Sequence, residues 1–176
     1  MVYGIIKGCG GTVTVQSEPG VGSVFAVYLP ATAHDAEWKE PAKEPVPLGT
    51  EKILLVDDEN PLAEAGRLML QGLGYQVMAA TDSRKALEVF RNRPDQFDLV
   101  VTDMTMPGLT GADLSREILK IRPDIPIIMV TGFSELISKE KAQALGVRAL
   151  AMKPLSRTNL ARLIRNVLDN HESQGE

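Results

Sequence analysis

From residue 51 onward the chain alternates short apolar runs with longer stretches whose apolar positions recur every three or four residues. The runs begin at Ile53, Val77, Leu99, Ile127 and Ala149. They are nearly continuous rather than alternating, the pattern of strands covered by helices on both faces of a parallel sheet. Between them, Leu114, Ile118 and Ile121 recur at helical spacing, with Thr110 and Asp113 placed as N-cap and third helical residue. Leu160, Leu163, Ile164, Val167 and Leu168 form an apolar stripe after Ser156, a second cap. Asp82 or Ser83 starts a helix carrying Ala86, Val89 and Phe90. Gly72, Gly74 and Gly146 fall where helices stop and strands begin. Five repeats of strand then helix, joined by right-handed crossovers, predict an α/β fold with a doubly wound parallel sheet over 51–170, then a short tail, 171–176.

The first 30 residues follow another pattern. Val2 to Lys7 reads as a helix end, stopped by Gly8, Gly10 and Gly11. Thr12 to Val15 and Val24 to Leu29 alternate as strands around a turn at Glu18-Pro19-Gly20-Val21-Gly22, which predicts a β-hairpin. So short a segment cannot form its own core, so it reads as the tail of a larger domain. Residues 31–50 carry Pro41, Pro45 and Pro47 with little to bury, and read as a semi-extended linker. Trp38 within it is expected to pack, partly exposed, on a neighbouring surface, with a dedicated docking anchor as the alternative.

Composition narrows the class. No apolar run approaches the roughly 20 residues of a membrane helix, and no secretory signal is visible at the N-terminus. One cysteine, Cys9, excludes an internal disulfide framework and a cysteine zinc site. The net charge of −4 argues against nucleic acid as the main partner. A cytoplasmic globular chain is expected.

The chemistry-bearing residues gather at strand ends. Asp57 and Asp58 follow the first run of the α/β region, Asp103 the third, Thr131 the fourth and Lys153 the fifth. Ligands of open α/β sheets bind outside those ends. Three carboxylates in one crevice repel one another, and a hard divalent cation relieves the repulsion; Mg²⁺ fits because it accepts a few carboxylates and keeps its waters. A carboxylate can also act as nucleophile and form an acyl phosphate. The oxygens of a transferred phosphoryl group then need Mg²⁺, an ammonium and a hydroxyl, which Lys153 and Thr131 can supply.

These residues carry a family resemblance. Val56-Asp57-Asp58-Glu59, Thr102-Asp103-Met104-Thr105-Met106-Pro107-Gly108, Val130-Thr131-Gly132 and Met152-Lys153-Pro154 resemble the receiver domain of two-component signalling, from about Lys52 to Leu168. The resemblance implies a flavodoxin-like sheet of order 2-1-3-4-5, with Asp103 accepting phosphate from a phosphohistidine. It implies direct Mg²⁺ ligation by Asp58, Asp103 and the backbone carbonyl of Thr105, with Asp57 acting mainly through coordinated water. Lys153 would hold the phosphoryl group and Thr131 would be the switch hydroxyl, drawing the Gly132-Phe133-Ser134 loop inward. Leu150 stands where such domains usually carry Tyr or Phe, so a smaller switch movement is expected there. The segment from Tyr3 to Phe25 resembles the last helix and hairpin of a sensor histidine kinase ATP-binding domain, without the groups that hold nucleotide. Kinase tail, linker and receiver in that order imply the C-terminal part of a hybrid histidine kinase. Its partners would be a histidine kinase or a histidine phosphotransfer domain, and self-association through the uncovered hairpin is open.

Two other classes compete. An aspartyl-phosphate phosphatase generally places two aspartates one residue apart after its first strand, whereas Asp57 and Asp58 are adjacent and Asp103 lies after the third. An interaction module without phosphorylation would not need the complete acidic set. On the leading reading, catalysis by this chain is confined to its own phosphorylation and dephosphorylation.

Overall fold

The computed structural model describes residues 2–31, 45–132, 142 and 144–172. The chain forms two compact units, 1–43 and 44–176. The middle of the linker, with Trp38, and the segment 133–141 after Thr131 lie outside the described residues.

The N-terminal unit is a helix, α1 (Val2–Gly8), followed by strands β1 (Thr12–Glu18) and β2 (Gly22–Tyr28). The strands pair antiparallel from Thr12↔Tyr28 to Glu18↔Gly22. Both extend nearer the turn than their apolar residues suggest, because the Ser17 and Ser23 hydroxyls meet there at 2.7 Å. Pairing places Val13, Val15, Phe25 and Val27 on one face. Phe25 is 71% exposed, and within this unit Ile6 alone among the described apolar side chains is counted in the core.

The C-terminal unit contains β3 (Lys52–Val56), α2 (Asn60–Gln71), β4 (Gln76–Ala80), α3 (Ser83–Asn92), β5 (Leu99–Asp103), α4 (Gly111–Ile121), β6 (Ile127–Thr131), β7 (Ala149–Met152) and α5 (Arg157–Glu172). The strands are parallel in the order β4-β3-β5-β6-β7, which is 2-1-3-4-5 within this unit, as the resemblance implies. Successive residues of a strand serve opposite faces. Ile53 and Leu55 join Leu70, Leu160 and Ile164 in one core layer, while Leu54 and Val56 join Phe90, Leu114 and Ile118 in the other. That two-sided burial is why the strands read as continuous apolar runs; each such side chain stabilises the fold by about 1.5–3 kcal/mol.

Local signals agree with these elements. Asp82 caps α3, accepting hydrogen bonds from the amides of Arg84 and Lys85. Thr110 caps α4, accepting from the Asp113 amide. Ser156 accepts from the Asn159 amide at the start of α5. Ile121 departs from its expected stripe: at the last turn of α4 it is 36% exposed. The packed unit also reaches back into the proline-rich stretch. Val46 packs against the core, and the Gly49 amide donates to the Leu73 carbonyl. Among the described residues no helix is long and apolar enough to cross a membrane.

Candidate functional site

The sheet register brings the strand-end residues into line. Val56 lies opposite Thr102, so Asp57 and Asp103 leave adjacent strands at the same level. Asp103 lies opposite Val130, and Thr131 opposite Met152, so Thr131 and Lys153 follow one step farther out on each strand. The Lys153 amide donates to the Thr131 carbonyl at 2.9 Å, fixing where the lysine stem starts.

The Lys153 ammonium bridges the two aspartates. It donates to Asp103 Oδ1 at 2.7 Å and to Asp57 Oδ2 at 3.1 Å. Asp57 and Asp103 are each only 8% exposed. Their remaining oxygens accept from backbone amides: Asp57 Oδ1 from Glu59 at 3.0 Å, Asp103 Oδ2 from Thr105 at 3.2 Å. Burial pulls the Lys153 pKa down, but hydrogen bonds and charge from Asp103 and Asp57 outweigh it, and the group titrates above its ordinary value. The lysine is therefore a fixed cation at neutral pH.

Asp58 is half-buried and lines a cleft of about 350 Å³ beside the aspartate pair, with Arg84, Pro107 and Gly108 on its other walls. Thr131 is 5% exposed, and its hydroxyl donates to the Gly132 carbonyl at 3.2 Å. Leu150 is half-buried on β7, opposite Met129 and against the core layer of α3 and α4. Of the expected switch segment, 133–136 lies outside the described residues.

The donor set suits magnesium. It consists of carboxylate oxygens with a backbone carbonyl at Thr105, the hard ligands Mg²⁺ prefers. Among the described residues no three His, Cys, Asp or Glu side chains converge to hold an ion by themselves. An ion that keeps several of its waters is therefore a better match than one needing a closed protein cage. Two buried carboxylates, Asp57 and Asp103, share one ammonium, an excess of negative charge that a divalent cation offsets.

One contributor was not read from the sequence as part of this site. Ser83, expected only as a helix start, is 2% exposed and reaches across to the loop after Asp103. Its hydroxyl donates to the Pro107 carbonyl at 3.3 Å and accepts from the Leu109 amide at 3.2 Å. No spacing rule links residues 24 and 26 positions apart, so nothing in the pattern could have signalled it.

Comparison with known proteins identifies the family. The response regulator receiver domain matches residues 53–165. The chain belongs to that family. It is a receiver of two-component signalling, and receivers generally depend on Mg²⁺. A response regulator receiver domain protein from Clostridium thermocellum is 32% identical, with a TM-score of 0.67, covering 70% of this chain and 98% of that one. The sensor kinase CckA of Brucella abortus is 33% identical over 98% of this chain, and the aerobic respiration control sensor protein ArcB of Escherichia coli is 32% identical over 97%. Those alignments take in the N-terminal hairpin as well as the receiver. The chain spans about a fifth of the length of these sensor kinases, 19% and 22% respectively.

Proposed function

We propose that this receiver accepts a phosphoryl group from a phosphohistidine onto Asp103, in the cytoplasm, as the C-terminal part of a hybrid sensor histidine kinase. The observation that carries the reading is the Lys153 ammonium seated between two buried aspartates at the strand ends. Asp103 would attack phosphorus with Oδ1 or Oδ2, the phosphorus–nitrogen bond of the donor would break, and the histidine would leave as the neutral imidazole after protonation. Lys153, already within 2.7 Å of Asp103, would swing onto a phosphoryl oxygen and stay charged. The Thr131 hydroxyl would exchange its Gly132 partner for another phosphoryl oxygen, which biases the following loop. Asp57, Asp58 and Asp103 with the Thr105 carbonyl would hold Mg²⁺, which supplies charge neutralisation for the transferring group.

The hybrid-kinase context is supported by alignment with sensor kinases over nearly the whole chain, hairpin included. On this reading residues 1–30 are the end of a kinase ATP-binding domain, joined by a linker to the receiver, and the donor is a histidine kinase or a histidine phosphotransfer domain. The chain by itself would not hold ATP.

The test is mass spectrometry after incubation with acetyl phosphate and Mg²⁺. One phosphoryl adduct is expected, mapping to Asp103 and absent from Asp103→Asn. An adduct of equal yield in that variant, or mapping elsewhere, would overturn the assignment.

A further inference from the structure

We infer that Ser83 is a positioning residue for the phosphoacceptor site: its buried hydroxyl holds the loop that presents Thr105 beside Asp103. The inference rests on the proposed Mg²⁺-dependent acceptance at Asp103 and adds a residue to it.

The loop between β5 and α4 has two limbs. Its base is closed by backbone bonds, Met104 amide to Val130 carbonyl and Gly111 amide to Met104 carbonyl, both at 2.8 Å. Its outer limb, Pro107 to Leu109, turns at Gly108 with φ +84° and meets the Ser83 hydroxyl from two sides. Thr105 lies between base and outer limb, and its amide donates to Asp103 Oδ2. The direction of the Thr105 carbonyl therefore depends on both limbs. The Met106 side chain, 5% exposed, anchors the middle of the loop in the core, but a side-chain anchor does not fix peptide orientation on either side of it. Ser83 does so with a donor and an acceptor at once, from the first residue of α3, itself held by the Asp82 cap.

A site whose ligands are already oriented binds its ion without first ordering them. Without the hydroxyl, the Leu109 amide and the Pro107 carbonyl lose their shared partner; Pro107 lines the cleft beside Asp58, where water can reach it. The loop then samples more orientations, and ordering them becomes part of the cost of binding Mg²⁺. The phosphoryl chemistry at saturating ion is little changed, because the Ser83 hydroxyl bonds to the Pro107–Leu109 loop and not to an aspartate.

The test uses the full chain and three variants, Ser83→Ala, Ser83→Gly and Ser115→Ala. Ser115 is a control: fully buried on α4, it donates to the Gly111 carbonyl at 2.7 Å, so its loss removes a buried hydroxyl bond near the same loop. Amide shifts of Asp58 and Thr105 followed during Mg²⁺ titration give the midpoint, and hydrogen exchange without metal gives the protection of the Leu109 amide. Both Ser83 variants are expected to raise the midpoint about three- to tenfold and to lower Leu109 protection, with the rate at saturating Mg²⁺ within about twofold. Ser115→Ala is expected to leave the midpoint and Leu109 unchanged. If wild type shows no saturable shift, the Mg²⁺ reading of the site falls and this inference falls with it. If wild type titrates but the Ser83 variants share its midpoint, or Ser115→Ala shifts it equally, the role of Ser83 alone is overturned.

Discussion

At one end of the parallel sheet Lys153 meets Asp57 and Asp103; at the other Arg165 of α5 meets Glu51, just before β3, and Asp169. Both cations are well buried, with side chains 28% and 20% exposed. Their partners differ. Lys153 faces two carboxylates that are 11% and 9% exposed, with Asp58 alongside. Arg165 faces one largely buried carboxylate, while Asp169 is 66% exposed and 3.6 Å away. Counting only the carboxylates shielded from solvent, the first end has two to one ammonium and the second one to one guanidinium. An unbalanced buried cluster keeps a place for a further cation or a transferred group. A balanced pair closes on itself and ties α5 to the chain entering the sheet. Counting charges against burial thus separates a reactive edge from a structural one.

The largest effect should come from breaking the unbalanced end. Lys153→Met should slow phosphorylation of Asp103 by about 10²-fold, the scale for losing one preorganised donor to a developing anion. It should also cost about 1–3 kcal/mol of stability in the absence of metal, as two buried carboxylates lose their shared cation. Mg²⁺ should return much of that stability, measured by urea unfolding with and without the ion. No rescue would mean that the aspartates do not share an ion site.

Arg165→Leu is the matching cut at the balanced end. It should cost about 1–3 kcal/mol, insensitive to Mg²⁺, with phosphorylation within about twofold of wild type. If this variant lost phosphorylation as severely as Lys153→Met, the division between the two ends would collapse.

Acid and alkali should separate the ends again. Burial pushes the Glu51 carboxyl up, but its own amide, the Arg165 guanidinium and the Thr50 amide together hold it below its ordinary 4.5. Its contribution is complete above about that pH and is lost as pH falls through the lower folded value. Wild type should therefore lose stability below pH 4.5 more steeply than Arg165→Leu. Lys153 is raised above 10.5, so its contribution is complete below that pH and is lost as pH rises through the higher folded value. The gap between wild type and Lys153→Met should hold across neutral pH and close in strong alkali. Urea midpoints across pH would show either trend failing.

The smallest effect concerns Tyr75, packed beside Arg165. It is 2% exposed, and its hydroxyl is buried with no hydrogen-bond partner among the described residues. Tyr75→Phe should be neutral or stabilising by up to about 1 kcal/mol, read from the urea midpoint. A loss above that would reveal a partner for the hydroxyl.

The reactive edge was legible in the sequence for a physical reason. Strands covered on both faces must be apolar throughout, so the polar residue that ends each one, Asp57, Asp103 or Thr131, stands out. Helix caps such as Thr110 and Asp82 are local and equally readable. The balanced edge was not legible, because Glu51 and Arg165 lie 114 positions apart and each looks like an ordinary surface charge. Nor was the packing of Val46, between Pro45 and Pro47, or of Gly49 just after them, because the prolines suggest only extended chain. Ser83 was hidden likewise: its helix-start signal was true and masked its second use. Leu150 was noticed only against the family pattern, and its half-buried position on β7 follows from pairing that no local rule specifies.

The order of strands carries a consequence for synthesis. Asp57 and Asp103 are made before β6 and β7 and lie at the ends of the two adjacent strands β3 and β5. The lysine that bridges them sits just past β7, which among the described residues is both the last strand of this unit and the outermost on its side. A nascent chain lacking β7 holds an uncompensated pair of carboxylates in a sheet with an open edge. On the proposed reading it would have the nucleophile but not the fixed cation, and charge repulsion would oppose closure of the crevice. Docking of β7 would then complete the fold and arm the acceptor in the same event.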